Sequence, residues 1–287
     1  AYEFALKYFH TGLTLLADQG WQTQPHLAMA LHEGAAEAAY LCGDVAQMEQ
    51  WVSKILAQNL NPIDCVRVYK IQIQAYSSQS RFQDAIAIAR AALEQFDIYL
   101  PEQPTIAAVA PVLQDVADLL NGRTAADLLD LPVMTAAESL AITQLLSSII
   151  VTSYISAPLL FPFVVLTQVK LSIQTGNTAL SALGYSTYAT LLSSISEDLD
   201  AAYEFSQLAL QLVAKFNARS IQAKVNVTLG LFIVHCKSHF RESLPLFTEA
   251  IQVGLEVGDL EFAGHAISEL CHCVYLTGKN LTTLLTD

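Results

Sequence analysis

Apolar residues recur every three to four positions through most of the chain, and no run alternates cleanly enough to read as a half-buried strand. The pattern predicts helices throughout. It breaks at Gln19-Gly20, Gly43-Asp44, Asn59 to Pro62, Ser78 to Arg81, Leu100 to Pro104, Asn121 to Thr124, Leu131-Pro132, Gly176-Asn177, Ser196 to Asp198, Asn217 to Ser220 and Gly258-Asp259. Between the breaks lie segments of one helix each, in the usual range of roughly 8 to 20 residues. Gly43-Asp44 and Gly258-Asp259 share one logic. Glycine takes the left-handed conformation that ends a helix, and aspartate caps the amides that open the next. Pro62, Pro104 and Pro158 sit near expected helix starts, where a missing amide costs little. Pro111, Pro162 and Pro245 fall nearer expected interiors and should bend or interrupt them.

A second regularity overlies the first: a small residue, four positions on a larger or aliphatic one, and three further another small one. Ala85, Ala89 and Ala92 carry it best, and Ala5, Phe9 and Gly12, then Ala202, Ser206 and Ala209, then Ser243, Phe247 and Ala250 repeat the frame. Met48 to Ile55 is a more degenerate copy. Small residues at these places let two antiparallel helices approach closely, while large ones seal the pair against its successor. Tyr76 stands where the first helix of a TPR hairpin keeps an aromatic, and the copies lie about forty residues apart against roughly 34 in a regular TPR. The expectation is an all-α fold, an α-α superhelix of about six to seven TPR-like antiparallel hairpins. It covers residues 1–287 as a single segment, with a weak subdivision near 121–135. A non-repeating helical bundle is the plainer alternative.

Composition narrows the function. The chain has 287 residues, 53% of them hydrophobic and only 14% charged, which argues for a folded protein and against disorder. Fourteen basic residues against 27 acidic ones give a formal charge of −13, a field that repels phosphate backbones, so nucleic acid is not an expected partner. Five scattered cysteines suit reduced, buried thiols of a cytoplasmic protein better than a disulfide framework. No signal peptide is visible, and the amphipathic start and helical-looking Leu281 to Asp287 suggest a segment cut from a longer chain. Only Lys170 is charged between Glu138 and Glu197. That stretch is rich in Ser, Thr and Gln and broken by Pro158 and Pro162, which favours helices buried in a superhelix over a membrane span.

Candidate chemistry is thin. His235 and His239, four apart on one helical face, could combine with His265 and the Cys271-His272-Cys273 run to bind zinc, although structural zinc is usually held by CxxC pairs. His235, His239, Cys271 and Cys273 are the metal candidates, set against satisfied core histidines and buried thiols. His32-Glu33 has the form of a phosphoacceptor dipeptide. Gly184-Tyr-Ser186-Thr-Tyr188 approaches a nucleophile elbow but lacks its closing glycine and preceding strand. Gly278-Lys279-Asn280 lacks the glycine-rich lead of a phosphate loop. No catalytic residue and no cofactor site is expected. The aromatic residues, Tyr2, Phe4, Tyr8, Tyr154 and Tyr203 among them, fall at helical spacing and read as core, with a few lining a peptide groove.

The motifs in their order resemble the helical segment of large multidomain bacterial signalling proteins. Ala5 to Phe9 with Gly12-Leu13, Trp21, Leu31 to Glu33, and Tyr40-Leu41 with Gly43-Asp44 open the match. Tyr69, Ala85-Ile86, Leu100-Pro101, Asp127-Leu128, Met134-Thr135, Gly176-Asn177 and Leu208 to Leu210 continue it. His235, Lys237 and His239 with Arg241-Glu242, followed by Gly254-Leu255 and Gly258 to Gly264, form its most specific block. Cys236 departs from the tryptophan usual there, and Phe96-Asp97 to Tyr99 replaces a leucine-glycine turn. Proteins of this kind join a serine/threonine kinase-like domain, a STAND-type AAA ATPase, this segment, a GAF domain and a sensor histidine kinase. The resemblance implies a connector between ATPase switch and kinase output, with ATP bound only in the flanking domains and a protein as partner. The alternative is a ligand-sensing helical domain with an apolar pocket around residues 154–188.

Overall fold

In the computed structural model, which describes residues 2–17 and 19–278, the expected breaks become helix ends and the described residues contain no strand. Gly43 and Gly258 both adopt a φ of +81°, and the aspartates that follow cap the next helices. Asp44 accepts from the Gln47 amide at 2.9 Å and Asp259 from the Phe262 amide at 3.3 Å. Other turns place Asn59, Ser80, Asp97, Asn121, Glu197 and Asn217 in the left-handed region. One expectation is corrected: Pro162 and Pro245 are the second residues of helices Phe161–Thr175 and Leu244–Val257, and Pro111 is the third of Val109–Leu120. All three lie in a first turn, where the backbone amide has no partner within the helix to lose. The expected helix over Leu281 to Asp287 and the Lys279-Asn280 part of the loop motif lie outside the described residues.

The helices gather into two compact units, Ala1–Pro104 with Gln144–Val164, and Thr105–Thr143 with Val165–Asp287. The first contains α1 (Tyr2–Leu16), α2 (Gly20–Thr23), α3 (Pro25–Leu41), α4 (Val45–Leu56), α5 (Pro62–Ser78) and α6 (Phe82–Glu94). Packing follows chain order: α1 against α3, α3 against α4, α4 against α5, α5 against α6. That is the nearest-neighbour order of stacked hairpins. Ala35, Ala36 and Ala39 of α3 and Ala85, Ala89 and Ala92 of α6 are fully buried, so the small-residue frame marks close helix approach. At Gly34 of α3 a side chain has no room, because a Cβ there would lie 2.4 Å from the Phe9 ring of α1. Tyr76 of α5 is buried and donates its hydroxyl to Glu49 of α4 at 2.8 Å, tying one hairpin to the next.

The second unit contains α7 (Val109–Leu120), α8 (Ala125–Leu128), α11 (Ser181–Ser194), α12 (Leu199–Lys215), α13 (Arg219–Phe232), α14 (Val234–Lys237), α15 (Leu244–Val257) and α16 (Leu260–Leu276). Helices α9 (Ala137–Ser156) and α10 (Phe161–Thr175) each run through a unit boundary. Here α11 pairs with α12, α13 with α15, and α15 with α16, while α13 also touches α11 and α12. Two further small-residue frames, Ala202, Ser206 and Ala209 on α12 and Ser243, Phe247 and Ala250 at α15, are buried, whereas Ala5, Phe9 and Gly12 of α1 are only half-buried; Phe247 packs on Gly230 of α13 as Phe9 does on Gly34. Every residue of α11 from Ser181 to Leu192 is buried. Its hydroxyls are tolerated because they bond their own helix: Ser186 and Thr187 donate to the Leu183 carbonyl at 2.9 and 2.8 Å. Buried Asn177 donates to the Leu128 carbonyl at 2.7 Å and accepts from the Tyr185 hydroxyl at 3.3 Å.

Among the described residues one helix, α9, is long and apolar enough to cross a bilayer, and 56% of its most apolar window is buried. A core helix has the same character. Burial differs from expectation at several side chains: Cys42 and Cys271 are exposed thiols, and Tyr2, Phe4, Tyr8, Tyr154 and Tyr203 are exposed rings.

Candidate functional site

The metal candidates are placed by α14, α16 and the 3-10 turn between α14 and α15. His239 Nδ1 accepts from the Arg241 amide at 3.0 Å, and His235 meets the Phe240 ring edge-on at 6.2 Å. Buried Cys273 donates its thiol to the Phe240 carbonyl at 3.2 Å, so α16 does approach the turn that follows His239. Cys271 is exposed, His272 lies beside Glu269 and His265 packs edge-on against Phe262. Among the described residues no three His, Cys, Asp or Glu side chains converge as a metal site requires.

His32 is sealed in the first unit. Its Nδ1–H donates to the Ala28 carbonyl at 2.7 Å, with the Trp21 ring 4.8 Å and the Trp51 ring 5.6 Å from its own. His10 approaches the other tryptophan contact edge-on, 5.5 Å from Trp51, and the Lys54 ammonium sits 4.3 Å over that indole. Burial lowers the His32 pKa from 6.5, the backbone hydrogen bond opposes this, and Lys54 adds to the lowering. The ring is 8% exposed as a residue and cannot present itself to a phosphoryl donor. Ser186 is likewise fully buried within a regular helix, with no strained turn.

Next to His32 the chain builds a charged patch that sequence spacing did not reveal. Arg67 of α5 reaches Glu33 at 3.4 Å and Glu37 at 2.8 Å across to α3. Burial raises the Glu33 pKa, Arg67 opposes the rise, and Glu37 and Asp64 add to it. Lys70, one turn along α5, donates to Gln144 at 3.0 Å, and burial lowers its pKa. These groups satisfy one another across residues 30 to 74 apart in the chain, and that separation hides them from local pattern.

An open groove of about 350 Å³ lies in the second unit between α8 and α12. Thr124, Ala125 and Ala126 form one side, while Tyr203, Glu204, Gln207, Leu208 and Gln211 of α12 form the other. Ala125 and Leu208 are buried, giving an apolar floor, and Tyr203 is 39% exposed. The sequence carries a signal for it in the polar residues Glu204, Gln207 and Gln211, which fall on the face of α12 opposite Ala202, Ser206 and Ala209.

No protein-family profile and no solved structure matches the chain. One curated protein resembles it: Hybrid signal transduction histidine kinase G of Dictyostelium discoideum, 19% identical over 306 aligned residues. The alignment takes in 96% of this chain and 9% of that protein, so the chain spans less than a tenth of its relative's length. The similarity is loosely consistent with a signal-transduction setting and does not define a family.

Proposed function

We propose that residues 1–287 form one non-catalytic interaction and signal-relay segment, linking an ATPase switch to a histidine kinase output in a multidomain cytoplasmic protein. The observation that carries the reading is the reach of the histidine kinase similarity, almost the whole of this chain against a small part of a much longer protein. Nearest-neighbour helix packing supports it, because a change in how one pair nests bears directly on the pair beside it. The sealed His32, the buried Ser186 and the dispersed His235, His239, Cys271 and Cys273 support a segment without chemistry of its own. ATP then belongs to flanking domains, and the partner is protein, those same domains first.

Incubation of the purified chain with radiolabelled ATP tests the non-catalytic part. The reading expects neither ATP hydrolysis nor phosphate on the chain. Acid-labile phosphate incorporated at His32 and lost in a His32→Gln variant would refute it.

A further inference from the structure

We infer that the groove between α8 and α12 docks an extended peptide segment that presents a lysine or arginine side chain to Glu204. This goes beyond the relay role and does not depend on it. Four polar side chains face the groove from α12, and none has a hydrogen-bond or ion-pair partner: the Tyr203 hydroxyl, Glu204, Gln207 and Gln211. Some comparable groups of the same unit find partners, although exposed Glu197, Glu242 and Glu261 do not. Gln222 and Asn226 both donate to Glu249, at 2.8 and 2.9 Å, and Gln252 donates to Glu256 at 3.0 Å. The groove therefore offers donors and acceptors that the fold itself leaves free.

Charge selects the occupant. Glu204 is the one charged residue lining the groove, and no basic residue lines it. Lys215, further along α12, is held by the Leu129 carbonyl at 2.6 Å, and Lys237 is paired with Asp200. An anionic or phosphate-bearing ligand meets an unpaired carboxylate here, whereas a lysine or arginine finds its counter-charge. The buried floor of Ala125 and Leu208 and the exposed Tyr203 ring suit the aliphatic stem of such a side chain.

Geometry favours an extended peptide over a lone cation. Gln207 and Gln211 are one helical turn apart, about 6 Å along the axis. Alternate residues of an extended chain repeat at about 6.6 Å, so the two carboxamides can serve successive peptide groups on one edge. A groove of about 350 Å³ holds a few residues, not a folded face.

Fluorescence anisotropy of the full chain tests this, using a labelled, acetylated and amidated peptide of alanine and leucine with one central lysine. The same peptide with glutamate at the centre is the comparison. The lysine peptide should bind and the glutamate peptide should not. Glu204→Lys should weaken binding about tenfold, the change expected when one attractive charge pair becomes repulsive. Gln207→Ala with Gln211→Ala should also weaken it, and Glu261→Lys, at an exposed site on α16, should leave it unchanged. If Glu204→Lys disturbs folding, Glu204→Gln removes the charge at constant size and should still weaken binding. Failure of the lysine peptide to bind overturns the inference. Equal losses from Glu204→Lys and Glu261→Lys overturn it too, since binding would then be general attraction to an acidic protein.

Discussion

Gly34 shows how little space separates neighbouring helices. Its missing side chain is the seat of the Phe9 ring, so Gly34→Ala forces either the ring or α1 to move. Overpacking of this kind costs about 1 to 3 kcal/mol. Urea titration should show that loss, and Phe9→Leu combined with Gly34→Ala should recover part of it. His32 makes a different demand. Its folded pKa lies below the 6.5 of the unfolded chain, so the unfolded state takes up the proton more readily. Stability is therefore fully present above pH 6.5 and declines as pH falls through the lower folded value. Trp21 and Trp51, the two tryptophans of the chain, flank the ring and report unfolding by fluorescence. A His32→Gln variant should flatten the acid limb below pH 6.5, whatever its stability at neutral pH; an unchanged slope would assign the acid sensitivity to other groups.

At the scale of helices, most ends were legible because the residues that make turns are chemically distinctive. Gly43-Asp44 and Gly258-Asp259 pair a left-handed glycine with a capping aspartate, as their sequence suggests. Removing either cap, by Asp44→Ala or Asp259→Ala, should lower stability by about 1 kcal/mol, seen as a lower thermal midpoint. The end made by Asp97 at positive φ carries no such mark, since aspartate is common within helices and turns alike, and the expected break falls later, at Leu100 to Pro104. The three misjudged prolines have the same origin. Periodicity alone does not fix which turn is first, so Pro111, Pro162 and Pro245 looked interior when they open their helices. Helix α11 is the extreme case, because burial on every side erases the polar face that periodicity reads. The groove residues were visible as a polar stripe on α12, but what made the stripe a groove was α8, some eighty residues earlier in the chain.

At the scale of the whole chain, the relay reading takes its physical basis from nearest-neighbour packing within each unit. Under that reading, helices that touch chiefly their chain neighbours within a unit would hand a change in nesting from one pair to the next, and removal of one hairpin in register would shorten that unit without abolishing its pairing rule. Of the three boundaries between the two units, one falls at Pro104–Thr105, beside the expected break at Leu100 to Pro104, while the other two fall inside α9 and α10, in an apolar stretch with neither a linker composition nor a charge change. The most direct measurement uses the longer signalling protein that this reading requires, with α5 and α6 deleted together. Nucleotide hydrolysis and histidine autophosphorylation are assayed side by side, before and after the deletion. The account predicts that both activities persist while kinase output no longer follows the nucleotide state of the ATPase. Output that still tracks nucleotide after the deletion would contradict it.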